Sequence, residues 1–133
     1  MTGAGNYTDD INMRGQAYVF FLRSDVAHAT INAVDTSAAE SMPGVVKIFT
    51  GDDFEAVGGM PCGWQITDRH GQPMQEPKHP ILAHGKIRHV GEPVVAVVAE
   101  TPEQARDAAE AVSLDLTELP AVVDMKAAVA EGA

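Results

Sequence analysis

The chain has a single cysteine, Cys62, and only nine lysines and arginines among 133 residues. One thiol excludes an intramolecular disulfide. It also cannot by itself hold an iron–sulfur or zinc-thiolate centre, which take several Cys or Cys/His ligands. Nine bases against nineteen acids leave a formal charge of −10, so most of the surface repels a phosphate backbone, which argues against nucleic acid as a partner. No stretch approaches the roughly 20 consecutive apolar residues that cross a bilayer, and the longest, Val94–Ala99, reads as a buried strand. The first residues, Met1-Thr2-Gly3-Ala4-Gly5-Asn6, lack the basic and apolar regions of a secretory signal, so the expected compartment is the cytoplasm.

What is present is an ordinary globular balance, with 45% hydrophobic and 21% charged residues in a length suited to one domain, 1–133. The acids are unevenly spread. From Glu92 onward only Arg106 and Lys126 offset them, so the C-terminal third is expected to present an acidic, solvated face.

Along the chain, residues up to Asn12 read as an extended lead-in. Ala17–Leu22 is dense in aromatic and β-branched residues and reads as a strand, followed by Ala29–Val34 with Ile31 and Ala33 on one face. Ser37 and Glu40 stand at capping-box spacing for a short helix that Pro43 and Gly44 end. Val45–Phe49 reads as a third strand. Residues 55–80 hold a concentration of Gly and Pro with little periodicity and read as a long loop that needs a neighbour. Beyond Gly85–Arg88 and a Gly91-Glu92-Pro93 turn, Val94–Ala99 is an apolar strand. Thr101, Pro102 and Gln104 carry N-cap, first-turn and capping-box signals for a helix whose Ala105, Ala108, Ala109 and Val112 form a narrow apolar stripe. Val112–Leu116 alternates as a strand, and Asp124 is placed to cap a last helix over Met125–Val129. The order predicts an α+β fold, a mixed β-sheet with helices packed on one face.

Candidate chemistry is sparse. His79, His84 and His89 recur at five-residue intervals, which rotates their side chains off a common face in helix and strand alike and argues against a metal site. Cys62 lacks a Gly-flanked nucleophile turn. Asp9-Asp10 and Asp52-Asp53 are adjacent pairs whose side chains diverge on extended chain, so turn and cap roles are expected. Arg23-Ser24 and His28 bracket a strand-to-strand corner. Lys126 in Asp124-Met125-Lys126 is similar to the Met-Lys turn of swinging-arm carrier domains, the one hook for an alternative reading as a free-standing binding or carrier module. These residues leave the catalytic, cofactor-binding and metal-site assignments at none.

Several segments together carry a resemblance. They are Thr2-Gly3-x-Gly5-x-Tyr7-x-Asp9-Asp10-Ile11, then Arg23-Ser24-x-x-Ala27-His28-Ala29-x-Ile31, then Asp35-Thr36-Ser37-Ala38-Ala39 leading to Pro43-Gly44-Val45. The series continues with Leu82-Ala83-x-Gly85-Lys86-Ile87-Arg88-x-Val90-Gly91-Glu92-Pro93-Val94, Ala99-Glu100-Thr101 and Leu119-Pro120-Ala121-Val122-Val123-Asp124. In this order the chain resembles the N-terminal domain of the molybdenum-binding large subunit in the xanthine dehydrogenase, aldehyde oxidase and carbon monoxide dehydrogenase family. Pro61-Cys62-Gly63-Trp64 with His79-Pro80 is most similar to carbon monoxide dehydrogenase large chains.

The resemblance implies an α/β-hammerhead fold and a parent oxidoreductase that oxidises carbon monoxide, an aldehyde or an N-heterocycle with oxygen from water. It implies molybdopterin held by downstream molybdenum-binding domains of the same subunit, and FAD and 2Fe–2S clusters in partner subunits or domains. This chain alone is then expected to be structural and inactive, with the 55–80 loop and the Arg23–His28 corner facing neighbours.

Overall fold

Strands form where β-branched and aromatic residues cluster. The six among the described residues are β1 (Tyr18–Arg23), β2 (Ala29–Asp35), β3 (Val45–Phe49), β4 (Lys86–Ile87), β5 (Pro93–Ala99) and β6 (Ser113–Glu118), and the two α-helices there are α1 (Ser37–Glu40) and α2 (Pro102–Glu110). The computed structural model describes residue 3 and residues 5–131, so Thr2 of the N-terminal motif lies outside the described residues, as do residues 1, 4, 132 and 133.

β5 carries valine at 94, 95, 97 and 98 and is covered along nearly its whole length. It is the central strand of a sheet ordered β1-β5-β3, antiparallel to both neighbours. A second sheet, ordered β4-β2-β6, is also antiparallel throughout. The fold is α+β, but the expected single mixed sheet is corrected to two antiparallel ones. The split occurs at residues 24–28, where the chain leaves the first sheet after β1 and enters the second as β2, a change of partner that no local pattern encodes.

α2 lies on β1, β5 and β3 of the first sheet. Its Ala105, Ala108 and Ala109 are buried, and their small side chains let helix and sheet approach closely. Thr101 Oγ1 accepts from the Gln104 amide at 3.2 Å, with Pro102 in the first turn. Gln104 does not complete the expected capping box. Its side chain lies against Gly44, which has no Cβ to obstruct it and a φ of 80° that suits glycine.

Two further local expectations are corrected. At α1 the cap lies upstream of Ser37: Asp35 Oδ1 accepts from the Ser37 amide at 3.0 Å and its hydroxyl at 2.6 Å, while Glu40 takes the Thr36 hydroxyl at 2.8 Å. In β2 the register slips between Ile31 and Ala33. Asn32 sits at the slip and donates to Asp115 Oδ1 at 3.2 Å and Thr117 Oγ1 at 2.9 Å. The alternation is thereby reset, so Val34 packs against the core while Ala33 faces out.

Residues 55–80 are more ordered than a loop. A 3₁₀ segment, Gly51–Val57, leads into an irregular hairpin arm held by Met60 N donating to His79 O at 2.7 Å and Met74 N to Ile66 O at 3.0 Å. At its tip, Asp68 Oδ1 accepts from the amides of His70 and Gln72. Near the C-terminus, Asp124 Oδ1 accepts from the amides of Lys126 and Ala127 at 2.9 Å. The expected helix is reduced there to a 3₁₀ turn, Ala127–Val129.

The core joins Ile87 of β4 and Ala29 of β2 to Val94, Val95 and Val97 of β5 and to Ala108 and Ala109 of α2. Gly51 is pressed against the segment that leads into β4, so that a Cβ there would stand 2.5 Å from Ala83 O and 2.9 Å from His84 Cβ. Gly51→Ala is therefore expected to lower stability by about 1–3 kcal/mol in urea unfolding, whereas Gly63→Ala, in open space, shifts it by less than about 0.5 kcal/mol.

The Ser37 hydroxyl, and secondly its amide, hold the Asp35 carboxyl below the ordinary aspartate range. The cap is intact above the ordinary value and is lost as pH falls through the lowered one. NMR titration of the Asp35 carboxyl is expected to move toward the ordinary value in Ser37→Ala.

Candidate functional site

The two sheets meet at a corner built from backbone. Ser24 N donates to Glu92 O at 2.9 Å, and Gly91 N donates to Ser24 O at 2.8 Å. Arg23 Nη1 adds a bond to Gly91 O at 2.8 Å, and the Ser24 hydroxyl bridges to Val26, donating to its O at 2.8 Å and accepting from its N at 3.1 Å.

Within this corner Glu92 is only 1% exposed. Its Oε2 accepts from Arg88 N at 2.6 Å, and its Oε1 has no hydrogen-bond partner among the described residues, Arg88 Nη1 standing 3.7 Å away. Sequence reasoning took Glu92 for part of a turn. The available signal was a carboxylate between Gly91 and Pro93, both of which restrict the backbone, but its burial depends on contacts from β1.

Beside the corner runs an open groove of about 730 Å³, lined by Ala27, His28, residues 88–90 and residues 120–123. His28 ties residues 119–120 to the lining: its Nδ1 is 2.8 Å from Pro120 O, and its carbonyl accepts from Leu119 N at 2.9 Å. Segments that carry the family resemblance at three separate places in the sequence thus line one surface. Val90 is 63% and Val122 55% exposed, giving the groove apolar walls, while Arg88, His89 and His28 supply its polar groups.

Other apolar groups stand in the open. On the outer side of the first sheet Val19 and Phe21 are exposed, with the Arg23 guanidinium 5.8 Å from the Phe21 ring centroid. Trp64, the one tryptophan, is 80% exposed on the arm, and Val123 is 88% exposed after β6.

The candidate residues separate accordingly. The rings of His79 and His89 approach to 5.8 Å between centroids, so the fold brings two of the three histidines together. His84 lies apart, its Nε2 3.1 Å from Asp52 Oδ1. Asp53 accepts from Thr50 N at 2.7 Å and Asp10 from Tyr7 N at 2.9 Å, each closing a short turn. Cys62 is exposed, with its Sγ 3.2 Å from Trp64 O. Lys126 stands in a turn before the 3₁₀ segment, with no strand after it among the described residues.

Among the described residues no three His, Cys, Asp or Glu side chains converge as metal ligands.

The family described as aldehyde oxidase and xanthine dehydrogenase, a/b hammerhead domain, matches residues 2–120. The chain is 40% identical over 132 residues to the nicotine 6-hydroxylase large subunit of Paenarthrobacter nicotinovorans, covering 99% of this chain and 16% of that protein. It is 34% identical over 123 residues to the carbon monoxide dehydrogenase large chain of Afipia carboxidovorans, covering 92% of this chain and 14% of that one. Among solved structures, quinoline 2-oxidoreductase from Pseudomonas putida 86 superposes with a TM-score of 0.87 at 36% identity, over 96% of this chain and 16% of its own. The chain therefore spans about one sixth of the length of the relatives it matches. Identity to the nicotine enzyme exceeds that to the carbon monoxide enzyme.

Glu92→Ala is expected to lower stability by about 2 kcal/mol in urea unfolding, because the Arg88 amide loses a charged acceptor. Glu92→Gln, which keeps an oxygen at that place, loses less.

Proposed function

This chain belongs to the aldehyde oxidase and xanthine dehydrogenase a/b hammerhead domain family, and on that premise we propose that it is the N-terminal structural domain of a molybdenum-containing hydroxylase or dehydrogenase large subunit, not catalytic by itself. The observation that carries this reading is a disproportion: the alignment uses 99% of this chain but 16% of the nicotine 6-hydroxylase large subunit.

The parent enzyme oxidises a small carbon centre with oxygen from water. Its molybdopterin sits in the remaining domains of the subunit, and FAD and 2Fe–2S clusters sit in partner subunits or domains. Among substrate classes an N-heterocycle is favoured over carbon monoxide or an aldehyde, since nicotine and quinoline name the relatives of higher identity in sequence and structure. The domain works by contact: the arm at residues 60–79 and the Arg23–His28 corner face the molybdenum-binding domains and the partner subunits. Its compartment is the cytoplasm, and among the described residues no helix is long and apolar enough to cross a membrane.

The experiment is to read the gene past residue 133 and to express residues 1–133 and the remainder as separate polypeptides in one cell. A continuation of several hundred residues and co-purification of the two parts are expected. A reading frame that stops at Ala133, or parts that never associate, contradicts the proposal.

A further inference from the structure

The groove beside Glu92 has a polarity opposite to that of the chain around it. The net charge is −10, yet the ionisable groups that line the groove are Arg88, His89 and His28. The nearest carboxylate, Glu92, is buried: its Oε2 accepts from the Arg88 amide and lies 4.0 Å from His89 Nδ1, and its Oε1 lies 3.7 Å from Arg88 Nη1, leaving the other guanidinium nitrogens facing outward. Arg88 Nη1 donates to Lys86 O at 3.0 Å, while its Nε and Nη2 have no partner among the described residues. A guanidinium with donors to spare on the wall of a groove matches a carboxylate.

The groove also offers backbone. Residues 121–123 run outside any helix or strand, and their amides and carbonyls bond to nothing among the described residues. Free main-chain groups beside apolar walls suit a strip of polypeptide, which pairs through its own amides and places alternate side chains against the walls. A small anion would leave the apolar walls and these amides uncovered.

Taking the reading of the chain as one domain of a larger subunit, we infer that this groove receives a carboxylate-bearing segment of the same polypeptide, from outside these 133 residues. The relatives carry more than four fifths of their length outside the region matched. A segment tethered in the same chain meets the groove at roughly millimolar effective concentration, which favours it over a separate protein of like chemistry. The carboxylate takes the free face of Arg88, with His89 beside it, and apolar side chains fill the space between Val90 and Val122.

The test uses the assembled full-length enzyme with the photo-crosslinker benzoylphenylalanine in place of Val122, followed by peptide mapping. A crosslink to a segment of the same polypeptide outside residues 1–133 that contains Asp or Glu is expected. A crosslink to a separate subunit, a crosslink to a segment without an acid, or no crosslink overturns the inference. The reading of the chain as a domain survives those three results and falls only by the reading-frame and co-purification tests.

Tryptic cleavage after Lys126 gives a second readout in the same enzyme. Arg88→Glu is expected to speed it at least about tenfold relative to Arg88→Lys, which keeps a positive charge, because reversing one partner of a covered charge pair is far costlier than exchanging its cation. Equal cleavage rates in the two variants contradict the inference.

Discussion

The backbone exchange between Ser24 and the Gly91-Glu92 pair is the constraint on which the rest of the molecule depends. Ser24 stands where β1 ends, and Glu92 stands immediately before β5, so their reciprocal bonds close the β1–β5 ladder at the point where the register shifts. The same Glu92 side chain accepts from Arg88, the residue after β4. One buried acid therefore ties the central strand of the first sheet to the edge strand of the second. Burying a carboxylate is costly unless its oxygens are hydrogen-bonded or faced by a cation, and here an amide and the nearby Arg88 guanidinium meet that requirement. Displacing this junction would misplace β4 and with it the groove wall that Arg88, His89 and Val90 form.

From that junction the two sides of the first sheet take different roles. One is sealed by the alanine stripe of α2, while the other leaves Val19 and Phe21 exposed. The arm at residues 60–79 has no core of its own and is held by hairpin bonds and by Glu76, which accepts from Cys62 N and from Gln65 Nε2 at 2.5 Å. On the proposed reading of the chain as one domain of a longer subunit, these surfaces are where it meets its neighbours.

Features set by neighbouring residues were legible before the structure. Thr101 followed by Pro102 marks the start of α2, its alanines mark the buried stripe, and the valines of β5 mark the central strand, because capping, helical period and β-branching act over a few residues. The family resemblance likewise rested on short motifs in a fixed order. The bulge at Asn32 was hidden because its partners Asp115 and Thr117 lie more than eighty positions away. The separation into two sheets and the burial of Glu92 were hidden for the same reason. The arm was read as a loop because glycine and proline break the period-2 pattern, although backbone bonds such as Met60 to His79 still close a hairpin. The groove became visible only when Ala27–His28, Arg88–Val90 and Pro120–Val123 were brought to one place.

On the proposed reading, surfaces bare in this domain are covered in a longer enzyme that contains it. Hydrogen exchange of the amides of Ala121, Val122 and Val123 tests it most directly, since none of the three has a partner among the described residues. In the assembled full-length enzyme the account predicts that these amides exchange much more slowly than free amides of the same sequence. Exchange at the free-amide rate in that assembly would contradict it.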